Sequence, residues 1–194
     1  MRKLKLQVQM TLDGFVAGPN GELDWMVEEG DESVSTKIID PADSCDTILL
    51  GSRMTPEFID HWESRLPSGV VDSQPLSPEQ TLAQRMVSMR KIVFSRTQTN
   101  IKGRNLEVEN GDLAAVVPQL KNQQGKDIIV YGGASFASSL IRLDLVDEYY
   151  IFRNPVAIGN GLSIFKEQKL LELVSAIAFK NGIVFNKYLP VQAE

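Results

Sequence analysis

The sequence predicts an α/β fold, one domain of alternating strands and helices that closes on an antiparallel hairpin. Three observations predict it. Short apolar runs, Asp46-Thr-Ile-Leu-Leu-Gly51, Lys91-Ile-Val-Phe-Ser95 and Ile128 to Tyr131, are each followed by turn residues. Segments with helical spacing separate these runs. Near the end, two β-rich segments, Leu171 to Phe179 and Ile183 to Leu189, are joined by Lys180-Asn181-Gly182, and Asn-Gly between such segments is a strong hairpin signal. The 194 residues suit a single domain spanning 1–194 with a sizeable core, and no internal repeat or low-complexity segment divides it.

Taken in order, Lys3 to Met10 alternates polar and apolar residues and reads as a strand with one face inward. A loop dense in turn residues follows, Thr11 to Gly21, with Asp13-Gly14 and Asn20-Gly21 as turn dipeptides. Leu23-Asp24-Trp25-Met26 sets a large aromatic beside a carboxylate, a substrate contact or simply core. Glu28 to Glu32 is an acidic run, read as a solvated face. Ser33 is placed to cap a helix through Val34, Ile38 and Ile39 that ends before Pro41. After Gly51, Thr55 is placed to cap a helix carrying Phe58, Ile59 and Trp62, with Pro56 in its first position. Leu66 to Pro78 is a Pro- and Ser-containing excursion within the domain. Pro78 to Met89 is helical, with Leu82, Met86 and Met89 aligned. Leu106 to Val108 is a short strand, and Asp112 caps a helix through Leu120 that contains Pro118. Ala134 to Ile141 is helical and Leu145 to Phe152 strand-like.

Composition removes several chemistries. With Cys45 as the only cysteine there is no intrachain disulfide and no CxxC zinc site. His61 is the only histidine, so a two-histidine metal site cannot form within one chain, and its expected place is packing or surface. A net charge of −5 with mixed signs argues against broad binding to nucleic acid. No apolar run approaches the roughly 20 residues needed to span a bilayer. Met-Arg-Lys leads straight into a strand pattern and not a signal peptide, so a cytoplasmic location is expected. Carboxylates, hydroxyls or a bound organic cofactor remain to carry any chemistry.

Three strand ends carry groups suited to phosphate. Asp127-Ile-Ile-Val-Tyr-Gly-Gly-Ala-Ser-Phe136 runs from a strand through Gly132 and Gly133 into a helix start, where free N–H groups and the helix dipole favour an anion. The same stretch can also be a tight turn with no ligand. Gly51 to Met54 adds Arg53, a phosphate contact or equally a surface salt-bridge residue, and Ser95-Arg96-Thr97 sets two hydroxyls around an arginine. Neither G-x-G-x-x-G nor G-x-x-x-x-G-K-[ST] occurs. A nucleotide with more than one phosphate could bridge the three ends, and Arg53 and Arg96 suit a 2′-phosphate, which favours NADPH over NADH.

Thr11 to Gly18, Leu23 to Met26, Leu49 to Thr55, Ile92 to Thr97 and Val130 to Ser135, in this order and spacing, resemble the dihydrofolate reductase-like proteins. Within that group they are similar to the C-terminal reductase domain of the bifunctional riboflavin-biosynthesis deaminase-reductase, over about residues 3 to 189. The resemblance implies a mostly parallel central sheet flanked by helices, a C-terminal antiparallel hairpin, and NADPH across the strand C-termini. It implies that Gly51, Ser52, Arg53, Met54, Ser95, Arg96 and Thr97 take the adenosine phosphates. Gly132, Gly133, Ala134, Ser135 and Phe136 would hold the pyrophosphate, and Thr11, Val16 and Ala17 would border the nicotinamide. Asp13 would contact substrate or handle a proton, with Thr11 and Trp25 beside the substrate. Family members commonly carry arginine directly after the glycine matching Gly51; here that residue is Ser52. The implied activity is hydride transfer to a small heterocycle of the 5-amino-6-(5-phosphoribosylamino)uracil or pterin type. The alternative is a nucleotide-binding sensor or degenerate homologue without turnover. Related reductase domains pair, so a homodimer is expected.

Overall fold

The computed structural model describes residues 1–27, 32–66 and 76–191. Most of the acidic run and most of the Pro- and Ser-containing excursion lie outside the described residues. Within them the elements run β1 (Leu4–Met10), α1 (Glu32–Asp43), β2 (Cys45–Gly51), α2 (Thr55–Glu63), α3 (Pro78–Ser88), β3 (Arg90–Phe94), β4 (Leu106–Glu109), α4 (Leu113–Asn122), β5 (Asp127–Val130), α5 (Ala134–Arg142), β6 (Glu148–Arg153), β7 (Leu171–Ala178) and β8 (Val184–Pro190). One eight-stranded sheet has the order β4-β3-β2-β5-β1-β6-β8-β7. The strands from β4 through β6 pair in parallel, and β8 and β7 add the antiparallel hairpin. The predicted α/β class, mostly parallel sheet and closing hairpin are therefore all present.

Helices cover both faces. Val34, Ile38 and Ala42 of α1, Phe58 of α2, and Leu82 and Met86 of α3 pack with Ile48, Leu50, Ile129 and Phe152 on one face. Val117 and Leu120 of α4 and Ala137, Leu140 and Ile141 of α5 pack with Leu6, Leu49, Ile128 and Val130 on the other. This layering corrects the reading of β1 as a half-exposed strand. A central parallel strand is covered on both sides, so Lys5 and Gln7 are buried alongside Leu4 and Leu6. Lys5 is held there by Asp127 at 2.9 Å and by the Ser44 hydroxyl. Charge is tolerated in such a place only when paired.

Helix ends differ from expectation in three places. The α1 helix begins at Glu32, one residue before Ser33, and continues through Pro41 to Asp43. The proline removes one N–H from the last turn only, where the cost of the lost bond is smallest. Thr55 lies inside α2 behind Met54, and its hydroxyl donates to the Gly51 carbonyl at 3.0 Å instead of capping. Ser77 caps α3 in a reciprocal pair with Gln80, a Ser-x-x-Gln signature present in the sequence. Asp112 caps α4 as expected, accepting from the Ala114 N–H at 2.8 Å.

Candidate active site

The order of strands creates the site. From β2 the chain leaves through α2 and α3 toward β3 and β4, along one face of the sheet. From its neighbour β5 it leaves through α5 toward β6, along the other. The two connections part in opposite directions at the carboxyl ends of adjacent strands. In open α/β sheets that divergence opens the crevice where ligands bind.

Gly51 ends β2 and Gly132-Gly133 follows β5, so the two predicted glycine sites meet at this crevice. Phe136, in the first turn of α5, spans them. A methyl group built on Gly51 would stand 2.9 Å from the Phe136 Cβ, and one on Gly133 would stand 3.6 Å from the same atom and 3.1 Å from the Met54 sulfur. Phe136 also stacks on Phe94 at the end of β3, ring centroids 5.5 Å apart. Next to Phe94, the Ser52 N–H donates to the Phe94 carbonyl at 3.2 Å. The structure thus brings Gly51, Ser52, Met54, Gly132, Gly133, Ala134 and Phe136 to one place. Ser95 continues from Phe94; its hydroxyl is buried and accepts the Gln98 N–H at 2.9 Å, forming a turn that displays Arg96 and Thr97 to solvent. Arg53 and Arg96 are both exposed and make no ion pair or hydrogen bond among the described residues.

The geometry of Gly132 and Gly133 fits an anion. Both have positive φ, +128° and +77°, and beyond the Cα of Gly132 there is open space for 4 Å. Gly133 is the N-cap of α5 and supplies no side-chain hydrogen bond, so the first-turn N–H groups behind it are not satisfied by a cap. An unblocked approach onto uncapped helix N–H groups is the arrangement that receives phosphate. Tyr131, just before, turns away from the crevice. Its ring packs toward Phe58, 6.2 Å between centroids, and its hydroxyl is buried with no hydrogen-bond partner among the described residues. Burial pushes that hydroxyl far above the usual tyrosine range, so it stays protonated.

The loop after β1 lies on the far side of β5. Thr11 is fully buried; its hydroxyl donates to Asp13 at 2.6 Å and accepts the Phe15 N–H at 2.9 Å. Val16 and Ala17 are stitched to the loop after β6: the Val16 N–H donates to the Leu162 carbonyl at 2.9 Å, and the Leu162 N–H donates to the Ala17 carbonyl at 2.8 Å. Hydrogen bonds from Thr11, then from Gly159 and Ile158, hold the Asp13 carboxyl below the usual range. Trp25 is buried, its indole N–H donating to the Glu22 carbonyl at 3.1 Å.

Asn154 is not among the residues that the sequence singles out. It is fully buried; its side-chain oxygen accepts the Val27 N–H at 3.0 Å and its amide donates to Gln9 at 2.6 Å. It fixes the segment after Trp25 onto the ends of β1 and β6. The nearest signal was its place directly after a buried strand, where a polar residue that cannot reach water needs partners. Among the described residues no group of three or more His, Cys, Asp or Glu side chains is placed to hold a metal ion, and no helix is long and apolar enough to cross a membrane.

Known proteins resemble this chain in sequence or in fold. YyaP of Bacillus subtilis (strain 168), described as uncharacterized, is 34% identical over 186 residues, covering 94% of this chain and 92% of its own. A candidate riboflavin-biosynthesis protein from Shewanella sp. PV-4 superposes with a TM-score of 0.73 at 18% identity, covering 98% of this chain and 99% of that one. The diaminohydroxyphosphoribosylaminopyrimidine deaminase/5-amino-6-(5-phosphoribosylamino)uracil reductase of Thermotoga maritima gives a TM-score of 0.67 at 17% identity, over 98% of this chain and 57% of that one. At such identities these two structures establish a shared fold. Residues 2–185 match the RibD C-terminal domain family, and the chain belongs to it.

Proposed function

We propose that the protein is an NADPH-dependent reductase acting on a small heterocycle, of the 5-amino-6-(5-phosphoribosylamino)uracil or pterin type. The observation that carries this reading is the crevice between β2 and β5, where Gly51, Gly132 and Gly133 converge on an uncapped helix start, with Arg53 and Arg96 on the neighbouring loops and unpaired among the described residues. In the reductase domains this chain resembles, the chemistry is a hydride supplied by the bound cofactor.

The chain's own residues bind and orient. The N–H groups behind Gly133 suit the pyrophosphate, and the open face of Gly132 lets it approach. Arg53 and Arg96, without carboxylate partners among the described residues, suit the 2′-phosphate, where a guanidinium can make two charge-assisted hydrogen bonds at once. Ser52, Ser95 and Thr97 add short donors near them. Val16 and Ala17 border the nicotinamide end, and Thr11 holds the shape of that loop. Trp25 supports the substrate side from the core, through the segment that Asn154 anchors.

Fluorescence titration tests the reading. NADPH at about 100 μM, inside the usual range for enzyme ligands, is expected to quench Trp62 or Trp25 and to show energy transfer. No change at that concentration removes the reading. Binding without oxidation in the presence of pteridines and ribosylamino-pyrimidines would instead favour a nucleotide sensor.

A homodimer belongs to the same proposal. The edge strand β7 leaves Leu173, Val174 and Ile177 exposed, and Leu170 and Val191 beside it are exposed as well. An unpaired strand edge with an apolar surface is unstable against association, and a second copy would cover it.

A further inference from the structure

We infer that Asp13 is a positioning residue, whose carboxylate latches the loop after β6 onto the loop that carries Val16 and Ala17. Both oxygens are committed to that contact. One accepts the Thr11 hydroxyl at 2.6 Å; the other accepts the Gly159 N–H at 2.7 Å and the Ile158 N–H at 3.1 Å. The partners belong to two segments more than 140 residues apart in sequence. Around the latch the same segments are joined by main-chain bonds, from the Leu12 N–H to the Val156 carbonyl at 2.7 Å and through the Ala17–Leu162 bridge. Gly161 lies against the Ala17 carbonyl so closely that a side chain there would collide with it.

This arrangement opposes a proton-handling role. A general acid works best with a pKa near the operating pH, and Thr11, Gly159 and Ile158 shift Asp13 the other way. Hydrogen bonds to the charged form keep it ionised. An ionised carboxylate that accepts three donors is a clamp. It fixes the height of the Val16–Ala17 edge, which under the proposed function is the wall of the nicotinamide pocket. The functional part of the inference rests on that reading; the latch itself does not.

The test compares Asp13→Ala with Asp13→Asn in the full chain. Alanine removes every acceptor. Asparagine keeps one oxygen for the Ile158 and Gly159 N–H groups, and its amide can donate to the Thr11 hydroxyl. Amide hydrogen exchange at Ile158 and Gly159, read by NMR without ligand, is expected to accelerate at least roughly tenfold in Asp13→Ala, the loss of one charged hydrogen bond. Asp13→Asn should bring it back to within about threefold of wild type. NADPH affinity should follow the same order, with the thermal midpoint of Asp13→Ala close to wild type because the bonds to Ile158 and Gly159 are exposed. Unchanged exchange in Asp13→Ala overturns the latch. Asp13→Asn with protected amides but turnover as poor as Asp13→Ala overturns the positioning role, since the charge itself would then be needed. If wild type binds no NADPH, the proposed function fails, while the exchange measurement still decides the latch.

Discussion

Replacing Gly132 with alanine separates backbone strain from loss of the phosphate approach. At φ +128° any residue with a Cβ is strained, and the left-handed half of the map costs about 1–2 kcal/mol for an L-residue. No atom lies within 4 Å of the added methyl, so no packing clash adds to that cost. For a protein of this size each kcal/mol lowers the thermal midpoint by about 2–4 °C, so Gly132→Ala should melt roughly 2–8 °C early and remain folded. The methyl projects into the open space over the strand ends, where a pyrophosphate must come within hydrogen-bond distance of the α5 N–H groups. Losing one or two charge-assisted hydrogen bonds, at about 1.5–3 kcal/mol each, weakens NADPH binding by roughly tenfold at the least and about ten-thousandfold at the most. The assay is NADPH fluorescence titration of wild type and variant, with circular dichroism to confirm the fold. A folded Gly132→Ala protein that binds NADPH as tightly as wild type would refute the placement of the phosphates at this turn.

Other consequences follow from particular groups. Burial pushes the Glu148 carboxyl up, but hydrogen bonds from Lys3 at 2.6 Å, Tyr150 at 2.6 Å and Lys187 at 3.0 Å outweigh it and hold it at about 2, below its ordinary 4.5. A folded pKa below the unfolded one gives stability that is present above pH 4.5 and lost as pH falls toward 2, about 3 kcal/mol in all. Urea melts of wild type should show that decline, and Glu148→Gln should flatten it. Cys45 is buried, and burial pushes its thiol up to about 11. A thiol-reactive dye at pH 7 should therefore label the unfolded protein and leave the native one unmodified. Ile177→Lys places a charge on the exposed face of β7 and should convert a dimer to monomer in light scattering, with little change in the NADPH titration; a dimer that persists would place its interface elsewhere.

The legible parts of this fold were those in which local chemistry and topology ask for the same residues. Lys180-Asn181-Gly182 makes its hairpin because the turn demands Gly182 at φ +87°, a requirement independent of anything distant. Gly132-Gly133 announced a strand-to-helix junction for the same reason. The exposure of β1 was misread because alternation in the sequence shows chemical type and not burial. Lys5 and Gln7 look like a solvent face until β5 and β6 flank them and helices cover both sides. The Asp127 that makes Lys5 tolerable is 122 residues away, and no local pattern connects them.

The candidate site shows the same division, and it explains why the glycines outrank the carboxylate as evidence. Each strand end carried its own signal, but which ends share a crevice follows only from the strand order. Because β5 inserts between β2 and β1, Gly51 and Gly132 become neighbours while Asp13 is carried past β5 to the loop after β6. A glycine at a switch point is constrained by what must approach it, so its place points to a ligand. A carboxylate in a turn dipeptide has two possible obligations, to a ligand or to the chain. The donors to Asp13 include the Ile158 and Gly159 N–H groups, from a segment that no local pattern connects to the Asp13-Gly14 turn. Under the proposed function, the chemistry of this site lies in what the crevice holds in place, and the inferred Asp13 latch sets the wall beside it.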